Sequence, residues 1–301
     1  MKKYIYILII IVLAGILQAE TSGEYGFQML KISSGADGSA QAGVGAYTSS
    51  DAFAYIQNPS AALFNRGRKI SIAQNYWIFD TKINSGSYSY SNGKSSFGAG
   101  YRYLDYGTIE RRPDTGYLIG EYHPMDMVLS FNFGYRITPD HYAGVNLHAL
   151  YEQIDSASAL GAAFDLGYTF LTPIQNLKLN AAVKNLGKTS AMNEEVIELP
   201  ISSELGLVYK SDFNFAVFSY EMKVIKHIDD DELRAIFGVK TEITKKLNLK
   251  LGYKYNYDVE GFTAGFGINL KKIAVDYAYV LFDAESEIDN VHVIGLTYKF
   301  E

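Results

Sequence analysis

The sequence predicts an all-β protein: a 14-stranded antiparallel transmembrane β-barrel preceded by a short helical N-terminal hatch. Three observations carry that expectation. From Lys69 onward the side chains alternate with a period of two, which places successive residues on opposite faces of a strand. The connections between strands sort by parity, every second one short and the long ones in the other set, as in outer-membrane barrels. The apolar face is rich in large aromatics, while the opposite face carries glycines and scattered charges.

Composition sets the outer bounds. The chain has 301 residues, formal net charge −6, 27 glycines, 25 tyrosines, 17 phenylalanines, one tryptophan and no cysteine. Its mean hydropathy of −0.04 leaves no room for repeated apolar runs of about 20 residues, so a polytopic helical membrane protein is excluded. The acidic balance gives no electrostatic footprint for nucleic acid. A hydrophobic content of 48% excludes a disordered chain. Without cysteines an oxidising compartment supplies no disulfides, and stability must come from the fold.

Taken in order, residues 1–19 read as a secretory signal peptide, with Lys2 and Lys3 before an apolar run from Tyr4 to Leu17 and a small residue, Ala19, at the cleavage site. A membrane anchor is the alternative, but no stop-transfer cluster follows. Residues 20–68 differ in kind. Gly35, Gly38, Ala40, Ala42, Gly43, Gly45 and Ala46 form a small-residue stretch able to pack closely against other backbone. Ser50-Asp51 is placed to cap a short helix running through Ile56, and Asn58-Pro59 to turn the chain before a second helical piece, Ser60 to Phe64. The expectation is a hatch folded into the lumen; the alternative is a loose N-terminal arm.

The barrel occupies 69–301, with strands expected at 69–79, 82–91, 95–112, 117–137, 140–154, 157–171, 176–187, 200–210, 212–226, 231–243, 246–257, 260–269, 271–283 and 289–300. In 246–257 the odd positions are Leu247, Leu249, Leu251, Tyr253, Tyr255 and Tyr257, and the even ones are lysine, asparagine or glycine. A water-soluble barrel would bury the apolar face instead, yet a large barrel cannot fill its interior. The strands also exceed the ~5–6 residues usual in soluble sheets. In the last strand Gly295, Tyr298 and Phe300 fit the pattern by which such barrels are read for assembly, with Val293 where a polar residue is expected and Glu301 after the terminal aromatic.

On residues 35–63, GADGSAQAGVGAYTSSDAFAYIQNPSAAL, the chain resembles the PorV/PorQ family, relatives of the FadL-type outer-membrane barrels. There a Gly-rich stretch leads about twenty residues on to an Asn-Pro-Ala-Gly-Leu-like motif, here Asn58 to Leu63. The resemblance continues through AAVKNLGKTS (181–190), Leu199-Pro200 and GFTAGFGINLKKIAVDYAYV (261–280). Asp37 stands where the family usually carries Arg, and Ser60-Ala61 replaces Ala-Gly. The resemblance implies a non-enzymatic outer-membrane barrel that binds or anchors secreted proteins or surface machinery in type IX secretion. The alternative is a FadL-like transporter for hydrophobic small molecules. That would need an apolar pocket beside the hatch and a gap in the wall at a kinked strand.

Signals for catalysis are missing. There is no Gly-x-Ser-x-Gly elbow and no His-Glu-x-x-His motif. Gly187-Lys188-Thr189 resembles the end of a phosphate loop, but Ala182 stands where the first glycine is required. The five histidines never fall at metal-ligand spacing, and the run Asp229, Asp230, Asp231, Glu232 reads as a solvated external loop, with attraction of a divalent cation the alternative. No cofactor is expected. A lumenal hydrolase with Ser and His on adjacent strands has no positive support. What remains is the polar face, where Arg102, Arg136, Lys178, Lys184, Arg234, Lys240, Lys246, Lys250 and Lys254 share the lumen with Asp165, Glu204 and Asp276. These charges either pair across strands and hold the hatch or form a cationic wall for an anionic headgroup. The expected partners are outer-membrane lipid and secreted proteins or secretion-system components.

Overall fold

The computed structural model describes residues 25–112, 116–228, 232–283 and 288–300. The expected leader at 1–19 lies outside them, as do Asp229, Asp230 and Asp231 of the acidic run. The strands are β1 (Gly67–Tyr76), β2 (Lys82–Ser91), β3 (Ser95–Asp105), β4 (Ile109–Arg111), β5 (Gly120–Tyr122), β6 (Met125–Arg136), β7 (His141–Ile154), β8 (Ala157–Leu171) and β9 (Leu177–Thr189). They continue with β10 (Ala191–Met192), β11 (Glu195–Val196), β12 (Ser202–Phe213), β13 (Ala216–His227), β14 (Leu233–Glu242), β15 (Leu247–Tyr255), β16 (Glu260–Asn269), β17 (Ile273–Phe282) and β18 (Val291–Phe300). Fourteen of them form one closed antiparallel barrel, in the order β1-β18-β17-β16-β15-β14-β13-β12-β9-β8-β7-β6-β3-β2. Closure runs from Arg68↔Phe300 to Tyr76↔His292. The expected fold class is therefore the observed one.

Alternation explains which way each strand faces. On β15, Leu247, Leu249, Leu251, Tyr253 and Tyr255 point out, with Leu251 63% exposed, while Asn248, Lys250 and Gly252 point in. The same holds on β18, where Ile294, Leu296, Tyr298 and Phe300 are exposed and Val293, Gly295 and Thr297 are turned inward. An outer surface of this kind is at ease only in lipid, which is the arrangement of transmembrane barrels.

Short turns gather at one end, at 92–94, 137–140, 172–176, 214–215, 243–246 and 270–272, and the long connections 106–124, 190–201 and 283–290 at the other. Three boundaries differ from expectation. The strands predicted at 95–112 and 117–137 stop at Asp105 and resume at Met125, and between them β4 and β5 pair only with each other. Asp105 accepts the Gly107 amide at 2.9 Å and Gly107 has φ +76°, so the chain turns out of the ladder there. The turn expected at 210–212 falls at 214–215, because Phe213 pairs with Ala216 and keeps the ladder intact through Ser211. The strand expected at 69–79 ends at Tyr76, and the expected short connection to β2 is made by a helical turn, Ile78–Asp80, with Phe79 and Asp80 at positive φ.

The segment from Tyr25 to the start of β1 lies within the ring. It enters at the long-loop end, where the Gly26 amide bonds the Glu198 carbonyl at 3.1 Å, and leaves at the short-turn end. Phe27, Met29 and Leu30 pack on Ile83, Leu104, Val128 and Leu150 of the wall. Ala36 and Ala40 pack on Ala278, Val280 and Val293, so the Val293 that breaks the terminal pattern has an apolar contact to make. The helix predicted from Ser50-Asp51 is shorter, Ala54–Gln57, and no side chain caps it. Asp51 instead accepts the Phe53 amide at 2.9 Å and the Ser49 hydroxyl at 2.7 Å, closing a turn before the helix begins. The second piece is a 3-10 turn, Ala61–Phe64. Wall glycines make room for this segment. Gly144 and Gly167 face each other across β7 and β8, and a Cβ on them would stand 2.3 Å from the Pro59 carbonyl oxygen and 2.5 Å from Asn58 Oδ1.

Candidate functional site

Inward-facing polar side chains seat the lumenal segment. The densest cluster surrounds Asp37, which is fully buried. Its Oδ2 accepts Lys240 Nζ at 3.0 Å, the Ser50 amide at 2.7 Å and Ser50 Oγ at 2.6 Å. Its Oδ1 accepts Gln41 Nε2 at 2.9 Å and lies 3.3 Å from Lys250 Nζ. Lys250 also donates to Asp276 Oδ1 at 2.5 Å, and Ser50 Oγ is 2.7 Å from Asp276 Oδ2. A hydroxyl has one proton to donate, so Ser50 Oγ serves one of the two carboxyl groups at a time. Burial alone would raise the Asp37 carboxyl; Lys240, Lys250 and the two Ser50 donors outweigh it and hold it well below the usual range. Asp51 behaves oppositely: burial, with the Asp37 charge beside it, pushes its carboxyl up to about 6.

Other strands hold the backbone of the segment. Glu221 accepts the amides of Gly45 at 2.8 Å and Tyr47 at 3.3 Å, and Gly45, at φ +103°, lets two amides converge on one carboxylate. Arg102 donates to the carbonyls of Met29 at 3.0 Å and Ile32 at 3.1 Å. Asn58 donates to the Ala181 carbonyl at 3.2 Å, and Asn132 donates to the Pro59 carbonyl at 3.0 Å. Ser130 Oγ, His148 and Asp165 form a chain with contacts of 2.8 and 2.9 Å, the order of a nucleophile–base–acid relay. Ser130 is only 2% exposed, and the cavity described below is lined by none of the three. The chain ends instead through Asn146, which donates to Asp165 and to the Tyr55 carbonyl, each at 2.9 Å, so it positions the helix Ala54–Gln57.

Beside the segment, toward the long-loop end, lies a cavity of about 310 Å³. Leu30, Ile32, Ile56, Trp77, Ile225 and Ile236 supply its apolar lining. Its charged lining is Lys31, Lys184, Lys223, Arg234 and Lys254 with Glu204 and Glu260. Lys223 and Lys184 share one carboxylate, Glu204, at 2.9 and 3.9 Å, and Lys254 pairs with Glu260 at 2.6 Å. The Arg234 guanidinium lies over the Tyr257 ring at 4.7 Å.

The wall next to this cavity is irregular. Two residues of β9, Lys184 and Asn185, oppose the single Asp165 of β8, and Asn185 has φ +62°. The β9–β12 ladder ends at Lys184↔Ser202. Beyond it, side chains of β9 reach the connecting loop, with Asn185 Nδ2 on the Pro200 carbonyl at 2.9 Å and Thr189 Oγ1 on that of Ile197. The Asn185-Leu186-Gly187 motif is thus a β-bulge at the end of a ladder.

The expected site residues divide. Lys184, Glu204, Arg234 and Lys254 line the cavity, whereas Arg102, Asp165, Lys250 and Asp276 bind the lumenal segment or its supports. Arg136 does neither: its guanidinium folds onto the carbonyls of Thr138 and Pro139, both at 3.2 Å, and secures a short turn. Gly35 and Gly38 pack under Phe53 and Gln57, Gly43 lies near Ile236, and Gly295 faces Ala36. Sequence reasoning did not single out Glu221, Ser50, Ser130 or His148 as contacts. The Asp37 departure was the signal for the largest cluster.

The sequence matches no protein-family model and no curated protein. Solved structures do resemble the fold. The CymD monoaromatic hydrocarbon channel is 12% identical with a TM-score of 0.63, over 89% of this chain and 98% of that one. The P. putida toluene transporter TodX is 13% identical with a TM-score of 0.63, over 89% and 99%. A Pseudomonas aeruginosa FadL homologue is 12% identical with a TM-score of 0.58, over 90% and 99%. At such identities the likeness is one of fold, and the fold is that of a FadL-like barrel.

Proposed function

We propose that this chain is a non-enzymatic outer-membrane barrel of FadL-like type, exported by a cleaved signal peptide, which admits small amphiphilic molecules carrying an anionic group. The segment 25–66 acts as its hatch. The observation that carries this reading is the cavity of about 310 Å³, whose lining joins an apolar wall to lysines sharing one carboxylate. An alkyl chain would lie along Leu30, Ile32, Trp77 and Ile236, and an acidic head would meet Lys184 and Lys223. The ladder end at Lys184↔Ser202 supplies the irregular wall through which such a molecule would leave sideways.

Trp77, the one tryptophan of the chain, lines the cavity and serves as its reporter. A brominated long-chain fatty acid should quench it saturably, and the matching brominated alcohol more weakly. The K184M/K223M variant should lose that preference. Absence of saturable quenching would overturn the reading. The barrel itself is tested by heat-modifiable migration on gels; a monomer soluble without detergent would sink it.

A second reading is the type IX secretion role implied by the PorV/PorQ-like motifs, in which the barrel binds secreted proteins or secretion-system components. It is favoured by the β4–β5 ribbon, where Tyr117, Leu118 and Ile119 are 77%, 52% and 63% exposed in the loop joining the two strands. Crosslinked co-purification of secretion components, lost on Leu118→Asp, would support this reading in place of the first.

A further inference from the structure

At the short-turn end, opposite the cavity, the lumen opens into a basin of about 800 Å³. Lys69, Lys240 and Lys299 stand on its inner wall, and Arg66, Lys245, Lys246 and Lys271 on its rim. Glu242 is the one carboxylate among its described lining residues. The inner cations are engaged by the hatch and by a neutral amide: Lys240 by Asp37 and the Thr48 carbonyl, Lys69 by the Ser49 carbonyl at 3.2 Å, Lys299 by Asn269 Oδ1 at 2.8 Å. None of the four rim cations forms an ion pair with a described residue. Like charges focused in a low-dielectric concavity raise the local concentration of anions.

The outer face of the same turns identifies the kind of anion. Ile243, Leu247, Ile268, Leu270 and Phe300 are exposed there, so the apolar belt reaches the rim itself. The rim therefore stands where hydrocarbon gives way to headgroups, and in outer-membrane barrels the short turns face the periplasm. Lysines bind phosphate as point charges without demanding one geometry, which suits a rim whose Lys245, Lys246 and Lys271 are exposed.

We propose that this basin is a binding site for phosphate-bearing anions: the headgroup of an acidic phospholipid in the adjoining leaflet, or a free phosphate compound of the same chemistry. Because its inner cations are the ones that hold Thr48, Ser49 and Asp37, an anion that penetrates the basin competes with the hatch for Lys240 and Lys69. The site lies at the opposite end from the amphiphile cavity and stands or falls independently of it.

The test uses the full chain in nonionic detergent and in nanodiscs. Calorimetry with inorganic pyrophosphate reads the free-anion arm. Native mass spectrometry from nanodiscs of phosphatidylglycerol and phosphatidylcholine reads the lipid arm. At least one arm should show saturable one-site binding, weakened about tenfold or more in K245Q/K246Q/K271Q, since exposed ion pairs add modestly and jointly. The single reversal K271E should act in the same direction, and K82Q, at the other end, should change nothing. Binding in one arm alone assigns the source. Equal binding by wild type and the triple variant, or none in either arm, overturns the proposal. Heat-modifiable migration checks that each variant is folded.

Discussion

Residues 27–30 and residues 37–51 share one lumen but are held by different chemistry. Phe27, Met29 and Leu30 meet Ile83, Leu104, Val128 and Leu150, an apolar contact in which many atoms each contribute little. Asp37, Ser50 and Asp51 meet Lys240, Lys250, Lys69 and Asp276, where a few buried charges hold one another. The first attachment also holds the Phe27 amide on Glu152 at 2.9 Å and the Met29 carbonyl on Arg102 at 3.0 Å, but its apolar contacts do not respond to salt. The second is specific and brittle, because removing one charge leaves its buried partners without their counter-charge. The lumenal segment is thus held chiefly by apolar contacts at its long-loop end and by buried charges toward its short-turn end.

The largest effect should come from breaking the charged attachment. Asp37→Ala leaves Lys240 and Lys250 buried without their shared carboxylate and should cost about 3–5 kcal/mol, measured by denaturant unfolding in detergent. Conductance in planar bilayers should rise with it. The double variant Asp37→Leu with Lys250→Met should lose less than the sum of the two single changes, which a double-mutant cycle will read.

Met29→Ala probes the apolar attachment and should cost about 3 kcal/mol, with the same value in low and high salt. A strong salt dependence there would erase the distinction between the two attachments. The pH response sharpens it further. Between its ordinary value of 3.8 and about 6, the unfolded chain loses the Asp51 proton while the seated carboxyl keeps it. Seating therefore weakens as pH rises through that window and is level above it. Asp37 has the opposite sign: its contribution is present above 3.8 and is lost as pH falls below. From these two carboxyl groups, protection of the hatch from protease should be greatest at about pH 4. Asp51→Asn should remove the decline toward 6, whereas Met29→Ala should leave it unchanged.

The smallest effect belongs to the outer ribbon. Glu110→Gln breaks the exposed pair with Arg112 at 2.6 Å and should change stability by about 0–1 kcal/mol. A larger loss would mean that the ribbon bears on the barrel through more than the exposed Arg111–Asp155 pair to the β7–β8 turn.

Much of the barrel was legible from the chain alone, because a period of two fixes the facing of every residue once one face is known. Leu247 to Tyr255 illustrate this: parity alone tells which side chains meet lipid. The boundaries at Asp105 and 214–215 were less legible, since ladder continuity depends on the neighbouring strand and not on the strand's own residues. The site was partly legible. Lys184, Glu204, Arg234 and Lys254 were found as inward charges, but parity could not tell cavity lining from hatch support. Arg136 shows the limit, since its inward position still allowed the side chain to fold back onto its own turn.

Glycine and tyrosine mark the same division. The sequence by itself determined a fourteen-stranded wall, aromatic outside and polar inside, because those properties follow from alternation along each strand. Only the tertiary structure decided that Asp37 reaches Lys240 across 203 positions, that Gly144 and Gly167 leave space for Asn58-Pro59, and that the ladder stops at Lys184. Those contacts join segments remote in the chain, and their partners are chosen by how the closed ring brings the strands around the hatch, which no local pattern records.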